Sequence, residues 1–385
     1  MRSSPRAATV VVLGGYGVFG SRVVRSLARH ESIDVVVAGR NAQAAERFCA
    51  SLPTSRVRPA TLDYHAPDVA ARLTKLGAAV VVDAAGPFQH RNHSLPRACA
   101  EQRIHYVDLA DDRECVCSIG DLDPLARKNG VLIVSGASTV PALSTAVLDE
   151  LVAGLTRVRS VEVGISPGHR GPRGLATARS ILSYCGRPIP AFIARARTSE
   201  YGWGGLTRHR YPAPIGARWL SNVDVPERTL WPARYVTLET LRFRAGLEVG
   251  ALHLGLSLLS RLVRAGVIRS LVPLAGGMLR TADLANPFAS DAGAMHVEVV
   301  GDVASARTVL RRWTVIAESG DGPQIPVTPA ALLVKGLLGV PGYALMIERG
   351  ALPCVGLLSL TDLEAEWRPF AIRTQSEEEA IKIHP

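Results

Sequence analysis

Over the first 140 positions the apolar residues gather in short β-branched runs: TVVVL at 9–13, IDVVVA at 33–38, AVVVD at 79–83, IHYVD at 104–108 and VLIVS at 131–135, with a weaker run at 57–61. Stretches of helical spacing lie between them, at 18–29, 41–51, 67–75 and 93–102. Strands that are apolar on both sides belong in a sheet covered on both faces, and their alternation with helices predicts a doubly wound parallel sheet. The fold class expected here is α/β.

The texture changes at Ser138. STVPALSTAVLDELVAGL at 138–155 opens on capping residues and Pro141 and continues as an amphipathic helix. Beyond it, strands are expected at 158–165, 294–300 and 311–317, and a helix at 175–185 after the loop SPGHRGPRG. Residues 201–232, rich in Pro, Gly and Trp, read as irregular, and another helix begins near Thr328. A second, mixed α/β unit therefore follows the first.

The segment 245–280 is strongly apolar yet carries Arg261, Arg264 and Arg269. A membrane-crossing helix needs about 20 apolar residues without such charges. The segment reads instead as a pair of core or interface helices, with peripheral membrane contact through a basic amphipathic face as the other reading.

Length and composition agree with two globular units: 385 residues, 47% hydrophobic and 20% charged. The net charge of +10 favours anionic partners, and arginine supplies nearly all of it, since lysine stands only at 75, 128, 335 and 382. No basic run is interleaved with stacking aromatics, so no nucleic-acid partner is expected. The six cysteines form neither a paired zinc-binding pattern nor a disulfide framework. No metal is expected, and with no apolar leader at MRSSPRAA a cytoplasmic location is.

Candidate chemistry starts at the end of the first strand. Gly15, Tyr16, Gly17, Val18, Phe19 and Gly20 spell GxGxxG between an apolar strand and a helix. There the first glycine makes a tight turn, the second admits a pyrophosphate and the third lets helix and strand approach. The second strand ends in Ala38-Gly39-Arg40-Asn41, without the carboxylate that would bond a ribose 2′-hydroxyl. Arg40 suits a 2′-phosphate, so NADP is the expected cofactor, with Asn41 beside it. Asp63 is a candidate for the adenine amino group, and Ala85, Gly86 and Pro87 form a small-residue turn against which a cofactor can lie.

These residues resemble the saccharopine dehydrogenase-like family of NADP-binding oxidoreductases. The resemblance rests on GGYGVFG with AGRN, VVDAAGPFQ at 81–89, YVDLADD at 106–112, SGASTVPALS at 135–144 and GALPCVGLLSL at 350–360. It implies a Rossmann NADP-binding domain at 1–137, an inserted substrate and dimerisation domain at 138–345, and a segment at 346–385 that returns to the first domain. It also implies hydride transfer at a C–N bond, a small-molecule substrate and a homodimer.

Hydride transfer to an imine or carbonyl needs a proton donor beside the acceptor. His90 and His93 in QHRNHS, and Asp108 and Asp111 in YVDLADD, lie where the nicotinamide should point. Arg170 and Arg173, just before a helix, are candidates to anchor a substrate carboxylate or phosphate, and Arg218 is a weaker one. Two other functions stay open: a membrane-surface reductase of lipid-like or polyketide substrates, suggested by the apolar segment 245–280, and a non-catalytic NADP sensor.

Overall fold

The computed structural model describes residues 7–89, 91–171, 174–304, 307–345 and 347–381. The chain divides into two units, residues 1–143 with 323–359, and residues 144–322 with 360–385.

The first unit is built on β1 (Ala8–Leu13), β2 (Ile33–Gly39), β3 (Val57–Thr61), β4 (Ala78–Asp83), β5 (His105–Asp108) and β6 (Leu132–Ser135). All pair in parallel in the order β3-β2-β1-β4-β5-β6, and a seventh strand, Gly350–Pro353, extends the sheet beyond β6. Alternate residues of each strand serve opposite faces. Val10, Val12, Val35, Val37, Val80 and Val82 pack with Val23, Val24 and Leu27 of α1 (Gly20–Leu27) and with Ala330, Leu333 and Val334. On the other face Val11, Leu13, Val36, Val81 and Ile133 meet Leu73, Leu95, Cys99, Ile119 and Leu122. Burial on both sides is why these strands read as continuous apolar runs.

The chain order reverses between β1 and β4, so the two loops leaving those strands open a crevice at the carboxyl edge of the sheet. The architecture is the doubly wound α/β fold with a mixed second sheet.

The crossings between units fall elsewhere than the sequence suggests. The helix Thr328–Leu337 covers the first sheet rather than belonging to the inserted unit, because its apolar residues complete the α1 side. The chain leaves again after Ser359, and the final strand, Ile372–Ile381, joins the second unit by antiparallel pairing with Thr308–Ala317. Only residues 323–359, not 346–385, return to the first unit.

In the second unit the sheet runs Thr207–Arg210, Ala217–Asn222, Thr240–Ala245, Leu155–Ser166, Gly293–Val303, Thr308–Ala317, Ile372–Ile381. Along this path only Thr240–Ala245 and Leu155–Ser166 pair in parallel. Two of these strands and the helix Glu227–Arg234 occupy the stretch 201–232, which reads as irregular because its strands are short and broken by Gly and Pro. The apolar segment 245–280 forms the helix Gly250–Arg264 and the start of Ala275–Asp283. No helix among the described residues is long and apolar enough to cross a membrane.

Candidate functional site

The glycine loop is shaped by close approaches that only hydrogen permits. A Cβ on Gly20 would stand 2.2 Å from the Gly14 carbonyl oxygen, and one on Gly15 would stand 2.9 Å from the Val12 oxygen. Gly14 takes a φ of +68°, the left-handed region that favours glycine, and its N–H donates to the Ala38 carbonyl at 2.8 Å. The loop is thereby pinned to β2. α1 begins with Phe19 as its cap and no capping side chain. The N–H groups of Val18, Phe19 and Gly20 have no acceptor among the described residues. Uncapped N–H groups at the positive end of a helix dipole form an anion site. The cradle fits the pyrophosphate of a dinucleotide.

The ribose corner is built around Tyr16. A Cβ on Gly39 would come within 2.5 Å of the Tyr16 hydroxyl, so the ring lies directly over the end of β2. The Tyr16 oxygen accepts the Asn41 N–H at 3.1 Å. Asn41 itself caps the helix Ala42–Ala50, its Oδ1 accepting the Ala44 N–H at 3.0 Å. Arg40, between these two, is exposed and its guanidinium has no hydrogen bond or ion pair with a described residue. Asp63 sits in the turn after β3, where its Oδ1 accepts the His65 N–H at 3.0 Å.

The loop after β4, which carries Ala85, Gly86 and Pro87, hangs from a buried ion pair. Asp83 has no exposed surface. Its Oδ1 accepts the Ala85 N–H at 3.0 Å, and its Oδ2 meets Arg91 Nη2 at 2.8 Å and accepts from the Tyr106 hydroxyl at 3.2 Å. Arg91 also donates from Nη1 to the Ala85 carbonyl at 3.3 Å and lies over the Tyr64 ring, 4.1 Å from its centre. Burial raises the Asp83 pKa while Arg91 opposes that rise. Burial weighs most against the Arg91 charge, but Asp83 together with Tyr106 and Tyr64 outweighs it, so the guanidinium stays protonated. The network fixes the loop from below. Tyr106, in YVDLADD, and Arg91, in QHRNHS, have no role legible in the sequence, because only the fold joins them to Asp83.

The proton-donor candidates separate into different settings. Asp108 is 2% exposed, and its Oδ1 accepts from Ala110 N–H at 3.0 Å, Ser135 Oγ at 2.9 Å and Gly136 N–H at 2.8 Å. It ties the end of β5 to the loop after β6; burial lifts its pKa to about 6 against those hydrogen bonds. Asp111 is exposed, with Gln89 Nε2 3.5 Å from its Oδ1. Asp112, not Asp111, caps the helix that follows. His93 is half-buried with Nε2 2.9 Å from Ser118 Oγ, and burial lowers its pKa. His90 lies outside the described residues.

In the second unit Arg170 donates from Nε to the Asn286 carbonyl at 3.0 Å, and Arg173 lies outside the described residues. Arg218 meets Glu248 at 3.3 Å, and Glu248 also accepts from His169 N–H at 2.7 Å and Ser290 Oγ at 2.7 Å. Arg218 is thus already engaged in holding loops together. His209, His296 and Glu298 present ligand atoms within 4.8 Å of one another, with the two imidazoles stacked 3.7 Å apart. Arg312 already neutralises Glu298 at 2.7 Å, which weakens that trio as a cation site.

Residues 10–148 match the family described as the saccharopine dehydrogenase NADP binding domain. No curated protein matches the sequence. Among solved structures, apo saccharopine dehydrogenase (L-Glu forming) from Saccharomyces cerevisiae is similar over 96% of this chain and 100% of that one, at 14% identity and a TM-score of 0.66. That likeness is one of fold. GenD2 from gentamicin A biosynthesis, solved with NAD, is similar over 100% of this chain and 99% of that one, at 12% identity and a TM-score of 0.44. Biliverdin reductase from Synechocystis is similar over 93% of this chain and 94% of that one, at 11% identity and a TM-score of 0.42. The glycine cradle and the loop after β4 both lie within residues 10–148, the stretch that matches the saccharopine dehydrogenase NADP binding domain.

Proposed function

We propose that this protein is an NADP(H)-dependent reductase that acts at a C=N or C=O centre of a small molecule. The observation that carries the cofactor choice is Arg40, an exposed guanidinium at the end of β2 with no carboxylate beside it in the sequence and no partner among the described residues. A free guanidinium there can take a 2′-phosphate in charge-assisted hydrogen bonds. The N–H groups of Val18, Phe19 and Gly20 would hold the pyrophosphate, and the Ala85-Gly86-Pro87 turn would flank the cofactor.

The cofactor, when bound, supplies the hydride. The chain must supply a proton at the same edge of the sheet. Asp111 is the exposed acid there, and it takes that role in this reading. Asp108 does not, because it is 2% exposed and its Oδ1 ties β5 to the loop after β6 through three hydrogen bonds. His93, held against Ser118, orients the adjoining loop.

Titration with NADPH and NADH tests the reading. NADPH is expected to bind at least tenfold more tightly, and Arg40→Asp to reverse that order. Equal affinities in both proteins would sink the cofactor assignment. With NADPH and a panel of keto acids, alone and with amino acids, Asp111→Asn should slow single-turnover oxidation about 100-fold, the usual scale of general acid catalysis. An unchanged rate would remove Asp111 from the mechanism.

A further inference from the structure

Three helices of the second unit, Leu175–Tyr184, Gly250–Arg264 and Ala275–Asp283, pack around a small core of Leu182, Leu256, Val263, Leu271 and Ala275. What they leave outside is unusual. Eight large apolar side chains of the described residues are exposed, and all but Val236 belong to this layer: Leu175 and six residues from Leu254 to Phe288. Leu254 and Leu258 stand one turn apart on the outer face of Gly250–Arg264, Leu258 being 58% exposed. Beyond the helices, Val267 is 71%, Leu284 76% and Phe288 90% exposed. A soluble helix would place polar residues at such positions. Clustered rather than scattered, exposed apolar side chains mark an interaction surface.

The charge of the layer selects the partner. From Val249 to Ala282 the chain has Arg261, Arg264, Arg269 and Arg280 and no Asp or Glu; Asp283 is the first acid after the run. None of the four arginines meets a carboxylate among the described residues. Arg264 lies over the Tyr201 ring, and Arg280 donates only to the Gly276 carbonyl of its own helix. A second copy docked through the same face would set this layer against its own arginines. A bilayer with anionic lipids offers apolar chains and phosphates together, which is what leucines interleaved with arginines match. Crossing the bilayer is excluded for these helices by their length and charge.

We propose that this helical layer is a peripheral docking surface for anionic membranes, with Leu258 and Phe288 entering the headgroup boundary and the arginines pairing with lipid phosphates. The proposal does not depend on the cofactor reading. The full chain should float with vesicles of phosphatidylcholine containing phosphatidylglycerol and not with phosphatidylcholine alone, and added salt should weaken the association. Leu258→Asp with Phe288→Asp, and separately Arg261→Glu with Arg269→Glu, should each lower the vesicle partition coefficient at least tenfold. Both pairs should leave the urea-unfolding midpoint read by tryptophan fluorescence unchanged, which shows that the second unit, where all five tryptophans lie, still folds. Failure of the unmodified chain to float, or equal flotation with both vesicle types, overturns the proposal. So does a concentration-dependent dimer in sedimentation that the Leu258→Asp, Phe288→Asp pair dissolves, because a second copy would then be what covers the face.

Discussion

The edge of the first sheet and the strands of the second treat polar groups in opposite ways. On the second sheet, Arg157, Arg159, Arg244, Arg311, Arg312 and Arg373 each meet a carboxylate across the strands. These charges are spent within the fold, and surface pairs of that kind contribute little each. At the carboxyl edge of the first sheet, Arg40 and the N–H groups of Val18, Phe19 and Gly20 have no partners among the described residues. Open donors at the carboxyl edge of a parallel sheet, where ligands of such folds collect, are placed for a ligand. The difference separates a sheet that holds itself together from an edge that waits for something to hold.

The strongest way to break this contrast is to fill the cradle. Gly20→Val adds a Cβ 2.2 Å from the Gly14 oxygen, so α1 must move away from the loop. NADPH binding should fall at least 100-fold by titration. An affinity within threefold of the unmodified protein would show that the cradle does not hold the cofactor.

Next comes the ion pair beneath the site. Arg91→Leu leaves the Asp83 carboxylate buried without its cation, and breaking a buried pair in this way costs about 3–5 kcal/mol. Urea unfolding should show that loss. Arg91→Leu with Asp83→Asn should recover part of it, since no charge is then stranded. Removing one of the second sheet's surface pairs, that of the exposed Arg157 with Glu239, by Arg157→Gln, should cost under about 1 kcal/mol. If the two sites lose equally, the contrast between buried support and surface pairing fails.

How far the sequence discloses this arrangement depends on where each signal is local. β1 and the glycine loop are legible because burial on both faces writes an unbroken apolar run into the strand, and the close approach of Gly20 to Gly14 and Gly15 fixes the glycine offsets locally. The absence of an acid after β2 is legible for the same reason. Arg91 is not, because its partners, Asp83 at the end of β4, Tyr106 within β5 and Tyr64 in the turn after β3, are brought together only by the fold. The final strand is hidden differently: IRTQSEEEAI is an edge strand with most of its residues exposed, so it carries no apolar alternation to betray it. The helix at Thr328 is readable as a helix, while its place on the first sheet depends on a long-range return of the chain.

The smallest test uses two histidines, one in each unit. His105 Nδ1 accepts the Leu132 N–H at 2.8 Å, fastening β5 to β6, and burial drops its pKa to about 4. His253 Nδ1 accepts the Leu247 N–H at 3.2 Å, and burial brings its pKa to about 4 as well. Both must be neutral to accept. An unfolded histidine titrates near 6.5, so below that pH the unfolded chain takes up protons that the folded one refuses. Stability contributed by each neutral ring is therefore complete above about pH 6.5 and is lost as the pH falls toward 4. With allowance for partial exposure of His105, each site should account for about 2 kcal/mol of acid destabilisation. His105→Asn and His253→Asn should each flatten the fall of unfolding free energy between pH 6.5 and pH 4. Fluorescence of the five tryptophans reports the second unit, because Trp203, Trp219, Trp231, Trp313 and Trp367 all lie within it. NADPH binding reports the first. If His105→Asn shifts only the cofactor signal and His253→Asn only the tryptophan signal, the units melt independently in acid; a shared shift would make them one cooperative body.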